Sequence, residues 1–136
     1  MSDDKDAIRD LPHLYCFHMD NGEFDALAAL FAADGEWVAP YRSVQGSAAI
    51  AAWLRQSVPA VPKRMHYTMN TVIVLSGDTA TARSNYLAMT EAPGGPDASV
   101  RGTYADRFLR TDLGWRFRRR ELIHAFKGEM RLTLPR

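Results

Sequence analysis

The sequence predicts an α+β domain, helices first and a strongly curved antiparallel sheet after them. Two observations carry this. Before residue 57 apolar residues recur at intervals of three and four, whereas from Lys63 they alternate. The alternating stretches are separated by short glycine- and proline-bearing segments suited to hairpin turns. The 136 residues read as a single domain over 1–136, with no internal repeat, low-complexity tract or linker. A chain of this size buries roughly 68% of its unfolded surface, enough for one core without disulfides.

In the first helix Ile8, Leu11, Tyr15 and Met19 make one inward stripe, with His18 beside Met19. Pro12 either kinks that helix or sits in the first turn of a second one capped by Asp10. Asn21-Gly22 ends the segment, and Phe24, Leu27, Leu30 and Phe31 mark a short second helix reaching Ala33. The turn Asp34-Gly35 leads to a strand from Glu36 to Pro40. Ser47 then caps a third helix, Ala48 to Gln56, which Pro59 and Pro62 close. Residues 64–76, 79–91, 99–110 and 115–126 are rich in β-branched and aromatic side chains and read as four strands of a meander. Their separators are Gly77-Asp78, the segment from Ala92 to Asp97, and Thr111-Asp112-Leu113-Gly114.

Seventeen Lys and Arg against sixteen Asp and Glu leave a net charge of +1, which argues against nucleic acid or an anionic membrane as partner. Arg116, Arg118 and Arg119 read as a solvated strand end. No apolar run approaches 18 residues and the N-terminus is acidic, so the expected location is the cytoplasm. Phosphate-cradling glycine motifs, paired cysteines and His-Glu-x-x-His are all missing, which removes the commonest nucleotide and zinc readings; no metal site is expected. Gly94-Gly95 is a turn, and Cys16, among apolar residues, reads as a buried structural thiol.

Several polar residues converge nonetheless. Tyr15, His18 and Asp20 lie on or beside the buried stripe of the first helix. A carboxylate at a helix C-terminus is disfavoured, so Asp20 calls for a cationic or hydrogen-donating partner. On the first long strand His66, Thr68, Asn70, Val72 and Val74 share one face by alternation. On the last strand Arg116, Arg118, Arg120, Leu122, His124 and Phe126 do the same, while Trp115, Phe117, Arg119, Glu121 and Ile123 face away. That outer mixture of apolar and charged residues predicts a homodimer through the sheet. Taken alone, His66 reads more readily as a hydrogen-bonded core histidine than as a catalyst, and these patterns reach no further than a soluble α+β domain with a polar pocket.

The runs Ala7-Ile8-Arg9-Asp10-Leu11, Asp20-Asn21-Gly22-Glu23-Phe24-Asp25-Ala26-Leu27 and Leu30-Phe31-Ala32-Ala33-Asp34-Gly35-Glu36-Trp37 resemble the opening of the SnoaL-like branch of the NTF2-like superfamily. Gly46 before the third helix, His66-Tyr67-Thr68-Met69-Asn70, Gly102-Thr103-Tyr104-Ala105-Asp106 and Gly114-Trp115-Arg116-Phe117 extend the likeness over nearly the whole chain. The resemblance implies a cone-shaped barrel of curved sheet and helices around a deep, mostly apolar pocket. Scytalone dehydratase, bile-acid 7α-dehydratase and hexachlorocyclohexane dehydrochlorinase share an Asp on the first helix and a His opening a long strand, which Asp20 and His66 match. Tyr15 matches the tyrosine of the bile-acid enzyme, and Arg120 and Tyr104 match the pocket arginine and aromatic of the dehydrochlorinase. His124 stands where that enzyme is small or hydroxylic, which implies a differently shaped substrate.

The implied activity is a cofactor-independent lyase or isomerase. Asp20 would fix the tautomer of His66, His66 would take a proton from carbon, and Tyr15 or Arg120 would assist the leaving group or polarise an oxygen. The expected walls, Trp37, Trp53, Tyr104, Leu122, His124 and Phe126, suit a small hydrophobic cyclic or aromatic molecule. The alternatives are an aldol-type polyketide cyclase and a non-catalytic binding domain with the same pocket.

Overall fold

The computed structural model describes residues 2–59, 63–92, 94 and 96–130. Pro62, Pro93 and Gly95, expected in the breaks between elements, lie outside the described residues. Helix α1 runs from Ser2 to Asp20 straight through Pro12, so no second helix starts there. Pro12 is itself buried beside Ile8, Leu11, Tyr15 and Met19. The packing of this stripe outweighs the one backbone hydrogen bond that proline removes. Asp3 and Asp4 occupy the first turn, where a carboxylate is favoured by the helix dipole.

Helix α2, Phe24–Ala28, is shorter than the sequence pattern indicates. The chain leaves it before Phe31, which begins β1, Phe31–Ala39. The cause is tertiary: the last strand captures this segment, with Phe117 N–H donating to the Leu30 carbonyl at 2.8 Å. At Gly35 a Cβ would lie 3.0 Å from both the Ala32 and Phe117 carbonyl oxygens, so β1 needs glycine where its register shifts. A four-residue strand, β2, Arg42–Gln45, pairs back on β1; it is too short and polar to stand out in the sequence. Helix α3 spans Ser47–Ser57, and its N-cap is Gly46 at φ +95°, not Ser47.

Four long strands follow: β3, Arg64–Ser76; β4, Thr79–Thr90; β5, Asp97–Thr111; and β6, Gly114–Met130. The sheet order is β2-β1-β6-β5-β4-β3, antiparallel throughout except for the parallel β1–β6 pair. The sheet curves without closing. No helix among the described residues is long and apolar enough to cross a membrane.

Three bulges overturn the strict alternation assumed from sequence. Between Met69 and Val72 strand β3 carries one residue more than β4, with Asn70 at φ +50°. Ile73 and Leu75 therefore point inward and Val72 and Val74 outward. In β6, Phe117 pairs with Phe108 and Arg119 with Arg107, which leaves Arg118 as the extra residue. Trp115 and Phe117 are consequently buried inside, not on the outer face, while Arg118 is exposed. A further shift at Ala125 turns Phe126 outward, 62% exposed beneath the Arg101 guanidinium. Phe126 is thus removed from the pocket wall.

The helix N-terminus is tied to the β5–β6 hairpin. Asp4 accepts from Arg110 Nη2 and from Trp115 Nε1, both at 3.0 Å. These hydrogen bonds hold the Asp4 carboxyl below its ordinary 3.8. A lowered carboxyl pKa gives stability that is present above the unfolded value and lost as pH falls through the folded one. Asp4→Asn should therefore lower the melting temperature at pH 7, and the difference from wild type should shrink as the pH is taken below 3.8; thermal melts at both pH values check this.

Candidate active site

The end of α1 meets the start of β3. His66 Nδ1 donates to Asp20 Oδ1 at 2.5 Å, and the His66 backbone N–H donates to Asp20 Oδ2 at 2.8 Å. A carboxylate only accepts, so Nδ1 carries a proton, and in the neutral ring the lone pair is on Nε2. Both side chains are 14% exposed. The disfavoured helix-end carboxylate thus has the hydrogen-donating partner that its position demands, and the two acceptor bonds fix the ring's plane against the strand.

His66 lines a cavity of about 440 Å³ between the helices and the inner face of the sheet. Tyr15, Trp37, Trp53, Tyr104, Leu122 and His124 line it as well. Most of the wall is apolar, and the volume suits one small cyclic molecule. Tyr15 Oη accepts from Trp37 Nε1 at 2.9 Å, so the hydroxyl's own proton is free for another acceptor. Burial pushes the Tyr15 hydroxyl up to about 12, against the pull of Arg120 and of the Trp37 hydrogen bond; it remains a neutral donor at physiological pH. Burial also lowers the pKa of His124, with Lys127 adding to the effect.

Arg120 is inward-facing and fully buried, but it is not among the side chains lining the cavity. Its Nε and Nη2 donate to the two oxygens of Asp106 at 3.0 and 3.3 Å, and neither side chain has any exposure. Its guanidinium carbon lies 3.5 Å from the Tyr104 ring centroid and 4.3 Å from that of Tyr15. The arginine therefore backs the two tyrosines that face the cavity. Burial pushes the Asp106 carboxyl up to about 6, against the opposing pull of Arg120. His18 stays outside the site, paired with Glu23 at 3.2 Å. Cys16 is buried, its sulfur 3.2 Å from Thr68 Oγ1, and burial pushes the thiol pKa up.

Sequence reasoning passed over Asp106, Tyr86 and Arg64. Asp106 lies two residues after Tyr104 and Arg64 two residues before His66, so alternation from either known neighbour would have found them. Tyr86 stacks on Tyr104, centroids 4.3 Å apart, opposite Gly102 in the β4–β5 ladder. A Cβ at Gly102 would collide with the Ile123 backbone carbonyl oxygen and also lie 2.8 Å from Tyr86 Oη, which is why that position is glycine. Among the described residues no three His, Cys, Asp or Glu side chains converge as a metal-binding group.

A family model described as a SnoaL-like domain matches residues 1–121. Among solved structures, a protein of Novosphingobium aromaticivorans provisionally assigned as a scytalone dehydratase is 28% identical, with 98% of this chain and 94% of that one covered and a TM-score of 0.83. An NTF2-like protein with a cystatin-like fold from the same organism is 30% identical over 88% of this chain and 80% of its own, at a TM-score of 0.73. A type 3 hexachlorocyclohexane dehydrochlorinase from Novosphingobium barchaimii, 19% identical, shares the fold at a TM-score of 0.82 over 96% of this chain and 94% of its own. No curated protein matches the sequence.

Proposed function

From its membership of the SnoaL-like family, to which the chain belongs, we propose that the protein is a cofactor-independent lyase or isomerase acting on a small hydrophobic cyclic molecule. The observation that carries this reading is the doubly anchored Asp20–His66 pair, with the histidine opening onto an apolar cavity. His66 Nε2 takes a proton from carbon beside an activating group. The C–H electron pair becomes the new double bond as the bond to the leaving oxygen or halide breaks. Tyr15 donates its free hydroxyl proton to that leaving group, or hydrogen-bonds a developing enolate oxygen. Return of the proton from the imidazolium to the tyrosine resets the site. Asp20 steadies the imidazolium while it exists.

Elimination of 5-nitrobenzisoxazole, which opens by a single C–H proton transfer, tests this chemistry without knowledge of the natural substrate. We expect catalysis above background that declines on the acid side as the base becomes protonated. A rate no faster than buffer, or one indifferent to pH, would favour a pocket that binds without turnover.

We further propose a homodimer through the outer face of the sheet. Met65, Met69, Val72, Val74, Ile123 and Phe126 are all exposed there, more apolar surface than a monomer leaves in water without reason. Sedimentation at micromolar concentration should show a dimer, and Val72→Glu should shift it to monomer; a wild-type monomer would refute the proposal.

A further inference from the structure

We infer that the cavity takes a carboxylate-bearing substrate, with Arg64 as the anchor of the carboxylate. The inference rests on the reading of this cavity as the substrate site and narrows the class of molecule it accepts. Arg64 opens β3 on the inner face, two residues before His66, and lines the same cavity. Among the described residues it is the one permanently charged side chain in the wall; no carboxylate lines the space. Its Nη2 donates to the Pro59 carbonyl at 2.6 Å, which tethers the head group, and its remaining N–H groups make no hydrogen bond among the described residues. The guanidinium is partly buried and has no ion-pair partner in contact; burial lowers the Arg64 pKa, offset in part by the Asp20 carboxylate.

The rest of the wall carries the same imbalance. Trp53 Nε1 and Tyr86 Oη are buried without a hydrogen-bond partner, and the Tyr15 hydroxyl proton is likewise unused. Beside the acceptor His66 Nε2, the wall therefore holds unused donors in Arg64, Trp53 and Tyr15, which a ligand bearing acceptor oxygens would satisfy. A neutral ketone or alcohol would satisfy a tyrosine or the indole but leave the guanidinium uncompensated. A carboxylate matches the planar fork of arginine and neutralises its charge. Residues two apart on one strand face are separated by roughly 7 Å, so the carboxylate is a handle held away from the carbon that His66 deprotonates. Arg64 is in this account a specificity-determining residue, not a proton-transfer group.

The test is calorimetric titration with a shape-matched pair, 2-naphthoate and 2-naphthamide, against wild type, Arg64→Gln, Arg64→Lys and His66→Gln. Wild type should bind the carboxylate about tenfold or more tighter than the amide. Arg64→Gln should bring the two to parity by weakening the carboxylate alone, Arg64→Lys should keep a reduced preference, and His66→Gln should retain it. Equal affinity in wild type, or a preference that survives in Arg64→Gln, overturns the anchor while leaving the cavity as a binding site. Failure of both probes to bind wild type overturns the anchor and the substrate-site reading together.

Discussion

Replacing His66 by Gln is expected to cost a factor of about 10²–10⁴ in the rate of proton abstraction, with little change in melting temperature. Glutamine preserves the backbone N–H that Asp20 Oδ2 accepts, so the link between α1 and β3 survives while the base is lost. Asp20→Asn should behave differently. The amide loses the charge that steadies the imidazolium and presents donors where the carboxylate received two, from the His66 ring and backbone. Both rate and stability should therefore fall. Steady-state rates on the benzisoxazole, paired with thermal melts, separate the two effects. A His66→Gln protein as active as wild type would remove His66 from the chemistry.

The largest stability effect is expected at Asp106. Asp106→Ala strands a fully buried guanidinium and should destabilise the fold by about 3–5 kcal/mol, read as a shift in urea midpoint. The double change Asp106→Leu with Arg120→Met should recover most of that loss, because an apolar pair of similar volume leaves no charge to desolvate. Arg120→Lys should lie between, since a lysine cannot span both oxygens of Asp106. Should Arg120→Lys abolish turnover at unchanged stability instead, the arginine would have to reach substrate directly.

These two sites were unequally legible in the sequence. Asp20 and His66 could be paired because the family resemblance matched both positions; the residues alone offered only a local oddity at each, a carboxylate at the wrong end of a helix and a histidine on the inner face of a strand. The four long strands and their turns were also plain, since alternation and turn residues are local signals. Arg120 was correctly read as inward, yet its partner was not found, because Asp106 looks like any other acidic residue of a strand. Trp115, Phe117 and Phe126 were assigned to the wrong faces for one physical reason. A bulge adds a residue without any compositional mark, and each bulge reverses the parity of everything beyond it. The early start of β1 and the existence of β2 depend on pairing with distant segments, which no local pattern records.

The extra residue at Arg118 bears on how such a chain tolerates change in length. Phe108 and Arg107 are neighbours, whereas their partners Phe117 and Arg119 are separated by it. Deleting Arg118 would leave every cross-strand partnership intact and every side chain on its present face; only the local bend would relax. A deletion at almost any other point of β6 would turn the downstream wall inside out. A change of length is therefore tolerated best at the bulges, where it reshapes the chamber without inverting its lining.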